Sequence, residues 1–596
     1  MSDPLPSNDV VTAYSDAISW EQIEQQKRRF NDKLKRLAEV SEDDELPLKD
    51  LADATGIPIS TLYPDSDKGN VLIGHVNGTQ YMLGSFVSKR YRYGKTLLQS
   101  IIPYNFNPSV NHTNLNESHN PITEMRALGA ELELGLYHPD GTLPTEDEVE
   151  HFSVSYRNCA SMLGITPTVD REACMYQIEV HVAPGIGYQR TRMSIDGIMK
   201  SLVEASKATG LYTAMLSAYP IASDFALTDH PKVHTAVDVM CEINAQFPEY
   251  ETRMEQARQR YHMRPDANVV QIFRLQGCHI HLDIAGRSEA LGLFTFYTML
   301  RSATAIANAT LLKGGPFVNG TCDPEYTCVR EHLRRTTVTG HYVDLPITPH
   351  LMTDGIEQYG YLLQSERANA PARALLGAQV DDQIISAMHN PIGRVRPDLG
   401  MTKRICTIES TGMPVNISAS RQAAVLSDFE FTHILVENYY RQYGMDMRPL
   451  MEDETLYALV GPLSTAKYDA LQDQSDREGT DMRVETATGT MMSLADFYEM
   501  KRKYMHRHLI DIPNVQPRDI DDVYMSIQRM IDPPSGRVAS TPEEYIADPT
   551  RRSTGNWGKI LRDAFIEEGG TPGEHNPEAV LRVSNRVHEA LLVRYS

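Results

Sequence analysis

No two of the seven cysteines stand at CxxC spacing, and no apolar run approaches the ~20 residues that cross a bilayer. The first absence excludes a zinc ribbon. With an odd number of thiols it also argues against a disulfide framework, so reduced cysteines in a cytoplasmic protein are the expectation. The second excludes helical membrane spans. The opening MSDPLPSNDVV has neither the basic start nor the apolar stretch of a secretory signal. Positive charge is scarce too: 57 Lys and Arg face 79 Asp and Glu, a formal net charge of −22. Such a surface does not coat nucleic acid along its length, although a local basic patch remains compatible with it. Nor does it oppose a site that gathers carboxylates around a divalent ion.

A hydrophobic content of 41% with 8% aromatics belongs to a globular protein, and 596 residues exceed one ordinary core. Three sections can be read. Residues 1–121 end in the polar stretch NPSVNHTNLNESHNP, which has the composition of a linker or long surface loop. Residues 122–446 alternate short strands with long amphipathic segments, an α+β or α/β pattern. Residues 447–596 are mostly helical and charged, as in SLADFYEMKRKYMHRHL and PEAVLRVSNRVHEALLVRY.

Within the first section, LKDLADATGIPISTLY (48–63) matches a helix-turn-helix, with small Ala52, turn-forming Gly56 and apolar Leu62 at suitable spacing. A compact helical hairpin without DNA-binding function reads the same way. The second helix of the pair, Ile59 to Tyr63, carries no Arg or Lys to hold phosphates or read bases. The balance is therefore against nucleic acid as a partner. A hairpin is expected in VLIGHVNGTQYMLGSF, turning at Asn77-Gly78. The run SKRYRYGK that follows could grip phosphates and stack on bases, but it also reads as a solvated strand end. Gly94-Lys95-Thr96 imitates the end of a P-loop, yet Lys89 stands where that loop needs glycine.

The chemistry is concentrated on four strands. In ALGAELELGLYHPDG, Leu128, Ala130, Leu132, Leu134 and Leu136 alternate with Gly129, Glu131, Glu133 and Gly135. Two glutamates thus project side by side from one face, which is unfavourable unless cations compensate them. A divalent metal site is the economical reading; a half-exposed strand with solvated glutamates is the bland one. In MYQIEVHVAPG, Gln177, Glu179 and His181 share the polar face. In GCHIHLDI the polar face carries His279, His281 and Asp283, and imidazoles there could supply a metal ligand and a phosphate contact. RICTIESTG sets Ile405, Thr407 and Glu409 opposite Cys406 and Ile408. Upstream, Arg394 and Arg396 are candidates to neutralise phosphate oxygens.

The ordered set GAELEL, QIEVHVAPG, GCHIHLDI, PFVNGTCDPEYTCVREHLRRTTVTG and TIESTGMP resembles the motif series of the glutamate–cysteine ligase type 2 family, over roughly residues 125 to 440. The resemblance implies an α+β fold with the curved antiparallel, metal-lined sheet of glutamine synthetase. A small helical N-terminal section and a helical C-terminal section would flank it. It also implies ATP and two divalent ions, Mg²⁺ or Mn²⁺. On the matching positions, Glu131 shares one metal with His279 and Glu409, while Glu133 and Glu179 hold the second. His281 approaches the nucleotide phosphates, and Arg330 with Arg394 or Arg396 binds phosphate and substrate. The family usually has an arginine where this chain has Thr411, which leaves the substrate open.

The implied reaction joins a small carboxylate, glutamate by default, to an amine through an acyl phosphate. Asp283 or a loop carboxylate is a candidate base. A homo-oligomer is implied as well. Competing expectations are a phosphotransferase of the same fold, and a non-catalytic sensor whose N-terminal section acts on DNA or a partner.

Overall fold

In the computed structural model of the chain, the described residues are 45–47, 70–76, 79–83, most of 128–264, 273–283, 303–336, 394–396 and most of 407–596. The helix-turn-helix candidate at 48–63 and the basic run at 88–95 lie outside them. The hairpin is present: β2 (Asn70–Val76) pairs antiparallel with β3 (Thr79–Leu83), and Val76 opposite Thr79 leaves the two residues Asn77-Gly78 for the turn. β1 (Glu45–Pro47) adds a third strand beside β2.

The central sheet has seven strands. β4 (Leu128–Tyr137) lies at its middle, with β5 (Val169–Arg171), β6 (Gln177–Gly185), β7 (Tyr212–Ala214) and β8 (Gly277–Asp283) around it. A short hairpin of β9 (Phe317–Val318) and β10 (Thr321–Cys322) stands apart. β11 (Arg394–Arg396) and β12 (Thr407–Pro414) complete the sheet in the order β11-β12-β8-β4-β6-β5, and β7 shares the β8 side of β4. Every pairing is antiparallel, as the α+β reading expects.

The alternation written in the strands becomes two faces. Leu128, Ala130, Leu132, Leu134 and Leu136 are all buried against helices, as are Ile178, Val180, Ile280 and Leu282. Those helices include α1 (Glu146–Met162) and α2 (Tyr188–Thr209), with α3 (Arg330–Arg334) at one end of the sheet's far side. A capping box starts α1: Thr145 Oγ1 accepts from the Glu148 N–H, and Glu148 Oε2 accepts from the Thr145 N–H at 2.7 Å. One glycine of β4 is required by contact. A Cβ on Gly135 would lie 2.4 Å from the Tyr219 ring, whose hydroxyl donates to the Leu136 carbonyl at 2.8 Å.

The second helical layer is built from α4 (Ala419–Tyr443), α5 (Thr465–Glu478), α6 (Leu494–Leu509), α7 (Pro517–Ile531) and α8 (Pro577–Tyr595). The two segments read as helices from the sequence are α6 and α8, capped by Ser493 and Asn576. One continuous hydrophobic core runs from Leu128 to Tyr595, so residues before and after position 447 pack together. None of the described helices is long and apolar enough to cross a membrane, and Cys159, Cys174, Cys278, Cys322 and Cys328 are thiols outside any disulfide.

Where α8 meets β7, His588 is fully buried. Its Nδ1 accepts from the Thr213 N–H at 3.1 Å, and its ring stacks on Tyr212 with centroids 4.1 Å apart. Burial pushes the imidazole down to about 3. An unfolded histidine titrates near ~6.5, so between those values the unfolded chain binds the extra proton. Stability from this group is therefore complete above pH ~6.5 and lost as pH falls, by about 2 kcal/mol at pH 5. Urea unfolding of wild type and His588→Gln at pH 7.5 and pH 5 checks this: the variant should show a pH loss smaller by about that amount. Equal losses would contradict it.

Candidate metal centre

The polar face of the sheet places its charges by register. Glu131 stands opposite His181 on β6 and His279 on β8, and Glu133 stands opposite Glu179. Glu179 in turn faces Asp170 on β5. The side chains converge accordingly. His279 Nδ1 lies 3.3 Å from Glu131 Oε2 and 3.9 Å from Glu179 Oε2, while its Nε2 lies 3.4 Å from Glu133 Oε1. His281 Nε2 is 3.1 Å from Glu131 Oε1. The side chains of Glu131, Glu133, Glu179 and His279 are 12 to 14% exposed, which leaves them open to an ion but poorly screened by water.

Four of the nine residues expected from the sequence therefore meet directly, with His281 against the first of them. The grouping has its own detail. Glu133, Glu179 and His279 offer donor atoms within 4.8 Å of one another, and so do Glu131, Glu179 and His181. Glu179 belongs to both sets. Glu409 stands next to His281 by register and opposite Arg394, and Arg396 stands opposite Thr407. The side chains of Glu409, Arg394 and Arg396 lie outside the described residues, as does that of Asp283. Thr411 falls in the irregularity between Ser410 and Met413.

Arg330 comes to the opposite end of the same cluster. Gly277 makes the space: a Cβ there would lie 2.5 Å from Arg330 Nη2 and 3.1 Å from Glu133 Oε2. The Gly277 N–H donates to that same carboxylate oxygen. Arg330 is buried and ion-paired with buried Glu331, which also holds Arg334 at 3.4 Å. Behind them Asp476 of α5 pairs with Lys313 and with Arg335 Nη2 at 3.1 Å. Its carbonyl accepts from the Thr327 N–H at 2.7 Å. The C-terminal helices thus brace the segment that presents Arg330.

Three residues of the cluster were not assigned from the sequence. His181 Nε2 sits 3.0 Å from Asp170 Oδ2 and 3.2 Å from Glu179 Oε1, without the alignment of a hydrogen bond to either. Its place on the polar face was legible in the alternation of β6. Asp170 lies on a three-residue strand and Glu172 just beyond it, too short for any periodicity to mark.

The site concentrates negative charge. Two carboxylates ~4 Å apart repel by about 4 kcal/mol at an effective dielectric near 20. Burial opposes the charge on Glu131, yet the imidazoles of His279 and His281 beside it outweigh that and hold the carboxyl well below the usual range. Burial and then the charges of Glu179 and Glu133 push Glu172 well above the usual range. Hard carboxylate oxygens with one or two imidazoles are a donor set for Mn²⁺ or Mg²⁺, and they do not form a Cys-based zinc site. The residues present fit a divalent ion.

No protein-family model matches the sequence. No curated protein matches it either. Among solved structures, the chain aligns with a bifunctional glutathione synthetase from Pasteurella multocida at 13% identity, covering 80% of this chain and 54% of that one, with a TM-score of 0.43. It aligns with a glutamate–cysteine ligase from Francisella tularensis in complex with AMP at 12% identity, over 79% of this chain and 90% of that one, TM-score 0.40. A third is the complex of the prokaryotic ubiquitin-like protein Pup and its ligase PafA, at 12% identity and 80% coverage of both chains, TM-score 0.36. The chain spans about half the length of the first of these.

Proposed function

We propose that the polar face of the sheet is the centre of an ATP-dependent ligase that activates a small carboxylate as an acyl phosphate for attack by an amine. The observation that carries this reading is the convergence of Glu131, Glu133 and Glu179 on the single imidazole of His279. The Gly277 N–H, Arg330 and the two imidazoles answer only part of the charge of three carboxylates, and divalent ions would answer the rest. Glu133, Glu179 and His279 would hold one ion, and Glu131, Glu179 and His181 a second, with Glu409 in reach of the set through its register beside His281. When bound, such ions screen the polyphosphate and align its terminal group.

The remaining roles fall to the chain's own cations. Arg330, fixed by Glu331 beside Glu133, is preorganised to stabilise negative charge on the transferred phosphoryl group, because its guanidinium cannot turn away without breaking a buried pair. His281, Arg394 and Arg396 lie along the β8–β12–β11 side, where they would meet the nucleotide phosphates. Glutamate as the acid rests on the family resemblance alone, and the amine is open.

Trapping tests the reaction. The purified chain, given ATP, Mg²⁺, pooled amino acids and hydroxylamine, should release ADP and form an amino-acid hydroxamate, the product of an intercepted acyl phosphate. Glu131→Gln should remove at least about 99% of that product while the protein remains folded by circular dichroism. ADP release with a phosphorylated amine and no hydroxamate would replace ligation with phosphotransfer. Absence of turnover with every acid would leave a binding protein.

A further inference from the structure

A second site lies on the helical side of the sheet, away from the carboxylate face. A cavity of about 250 Å³ opens where the first turns of α2 and α4 meet the length of α7. Arg518, Asp522, Ser526 and Arg529 recur on α7 at helical spacing and form one wall, and Tyr188 with Arg192 on α2 forms the other. In a chain with a net charge of −22, three guanidinium groups against one carboxylate in a single small cavity is a local reversal of sign.

The internal contacts leave that charge available. Asp522 is engaged: its Oδ2 accepts from Gln189 Nε2 at 3.3 Å and lies 3.6 Å from Arg518 Nε. Among the described residues, Arg192 has an ion pair only with Asp196, at 3.9 Å, and Arg529 has none. Between them, the Tyr188 hydroxyl and Ser526 Oγ meet at 3.1 Å, and Ser526 Oγ donates to the Asp522 carbonyl at 2.7 Å. Tyr188 is itself buried, so the floor is fixed while the arginines line an open mouth. The N-terminus of α2 falls on the same side, but its Gly187 N–H is already taken by the Glu430 carboxyl, so the site rests on the arginines.

From this geometry we propose that the α2–α4–α7 cavity binds a small multivalent phosphoryl anion, such as pyrophosphate or a phosphorylated metabolite, independently of the metal centre. Its volume lies below the ~300–1,000 Å³ of drug-sized pockets, which selects a compact ligand. The hydroxyl protons are already spent, Tyr188 on Ser526 and Ser526 on the Asp522 carbonyl, but the three guanidinium groups alone present more donors than the two oxygens of one carboxylate can accept, whereas a phosphoryl group supplies at least three. Binding would clamp α7 to the start of α2, and so couple the second helical layer to the helix that follows β6.

Calorimetric titration of the full chain with inorganic pyrophosphate, in EDTA and low salt, tests the proposal. EDTA silences the carboxylate face, which repels anions when no cation is bound. One site per chain is expected. Arg192→Gln/Arg529→Gln should weaken it by roughly a hundredfold, about tenfold for each guanidinium removed, with an unchanged melting temperature in the absence of ligand. Asp522→Asn should tighten it several-fold, a gain that misfolding cannot imitate. Equal affinity of wild type and the double variant would overturn the assignment. So would the absence of any binding, or tighter binding of malonate than of pyrophosphate.

Discussion

Glutamine in place of Glu179 is expected to raise the stability of the protein in EDTA and to abolish the further rise that Mn²⁺ gives the wild type. Glu179 stands directly opposite Glu133 and shares its surroundings with Asp170 and His181. Like charges opposite each other on adjacent strands are destabilising, and this pair is too buried for full screening. Removing one charge should return on the order of 1–4 kcal/mol to the metal-free protein. With Mn²⁺ at about a hundredfold its dissociation constant, the wild type should gain roughly 2.7 kcal/mol. The variant should gain little of this, because Glu179 contributes to both candidate ion sites. ATP turnover should fall by at least about a hundredfold. Urea denaturation with and without metal reads both signs in one protein. A variant less stable in EDTA and equally responsive to Mn²⁺ would contradict the assignment.

Lys501→Met is expected to be the most destabilising single change away from the metal centre. Lys501 of α6 and Asp428 of α4 are both fully buried, paired at 2.6 Å, and the Tyr524 hydroxyl of α7 donates to the other carboxylate oxygen at 2.6 Å. Burial lowers the Lys501 ammonium from its ordinary range, and Asp428 works to restore it. Removing the ammonium leaves an uncompensated buried carboxylate, at about 3–5 kcal/mol. The double variant Lys501→Met/Asp428→Asn should recover most of that loss, since asparagine carries no charge and still accepts from Tyr524. Losses that simply add, measured by urea unfolding at neutral pH, would show that the pair is not coupled.

Both results depend on features that were unequally visible beforehand. The four chemistry-bearing strands could be read because a sheet face repeats every second residue. Leu128 to Leu136 and Ile178 to Val182 alternate cleanly, and the structure buries those positions. Which strands would be neighbours could not be read that way, because alternation assigns a face but no partner. His279 consequently lies between Glu131 and Glu133, and His181 between Asp170 and Glu179, in groupings that no single motif contains. Asp170 and Glu172 carry no periodic signal at all. Lys501 looked like one more charge on an amphipathic helix, since its burial depends on Asp428 arriving from seventy-three residues away. The arginine cavity likewise joins Arg192 to Arg518 and Arg529 from distant parts of the chain.

The central claim is that the carboxylate face of the sheet holds divalent ions that serve ATP. Electron paramagnetic resonance of Mn²⁺ titrated into the full chain, with a non-hydrolysable ATP analogue present, tests it most directly. Two tightly held ions per chain are expected, falling by at least one in Glu179→Gln. Mn²⁺ that stays free beside the wild-type chain and analogue, or that binds the variant equally well, would contradict the account.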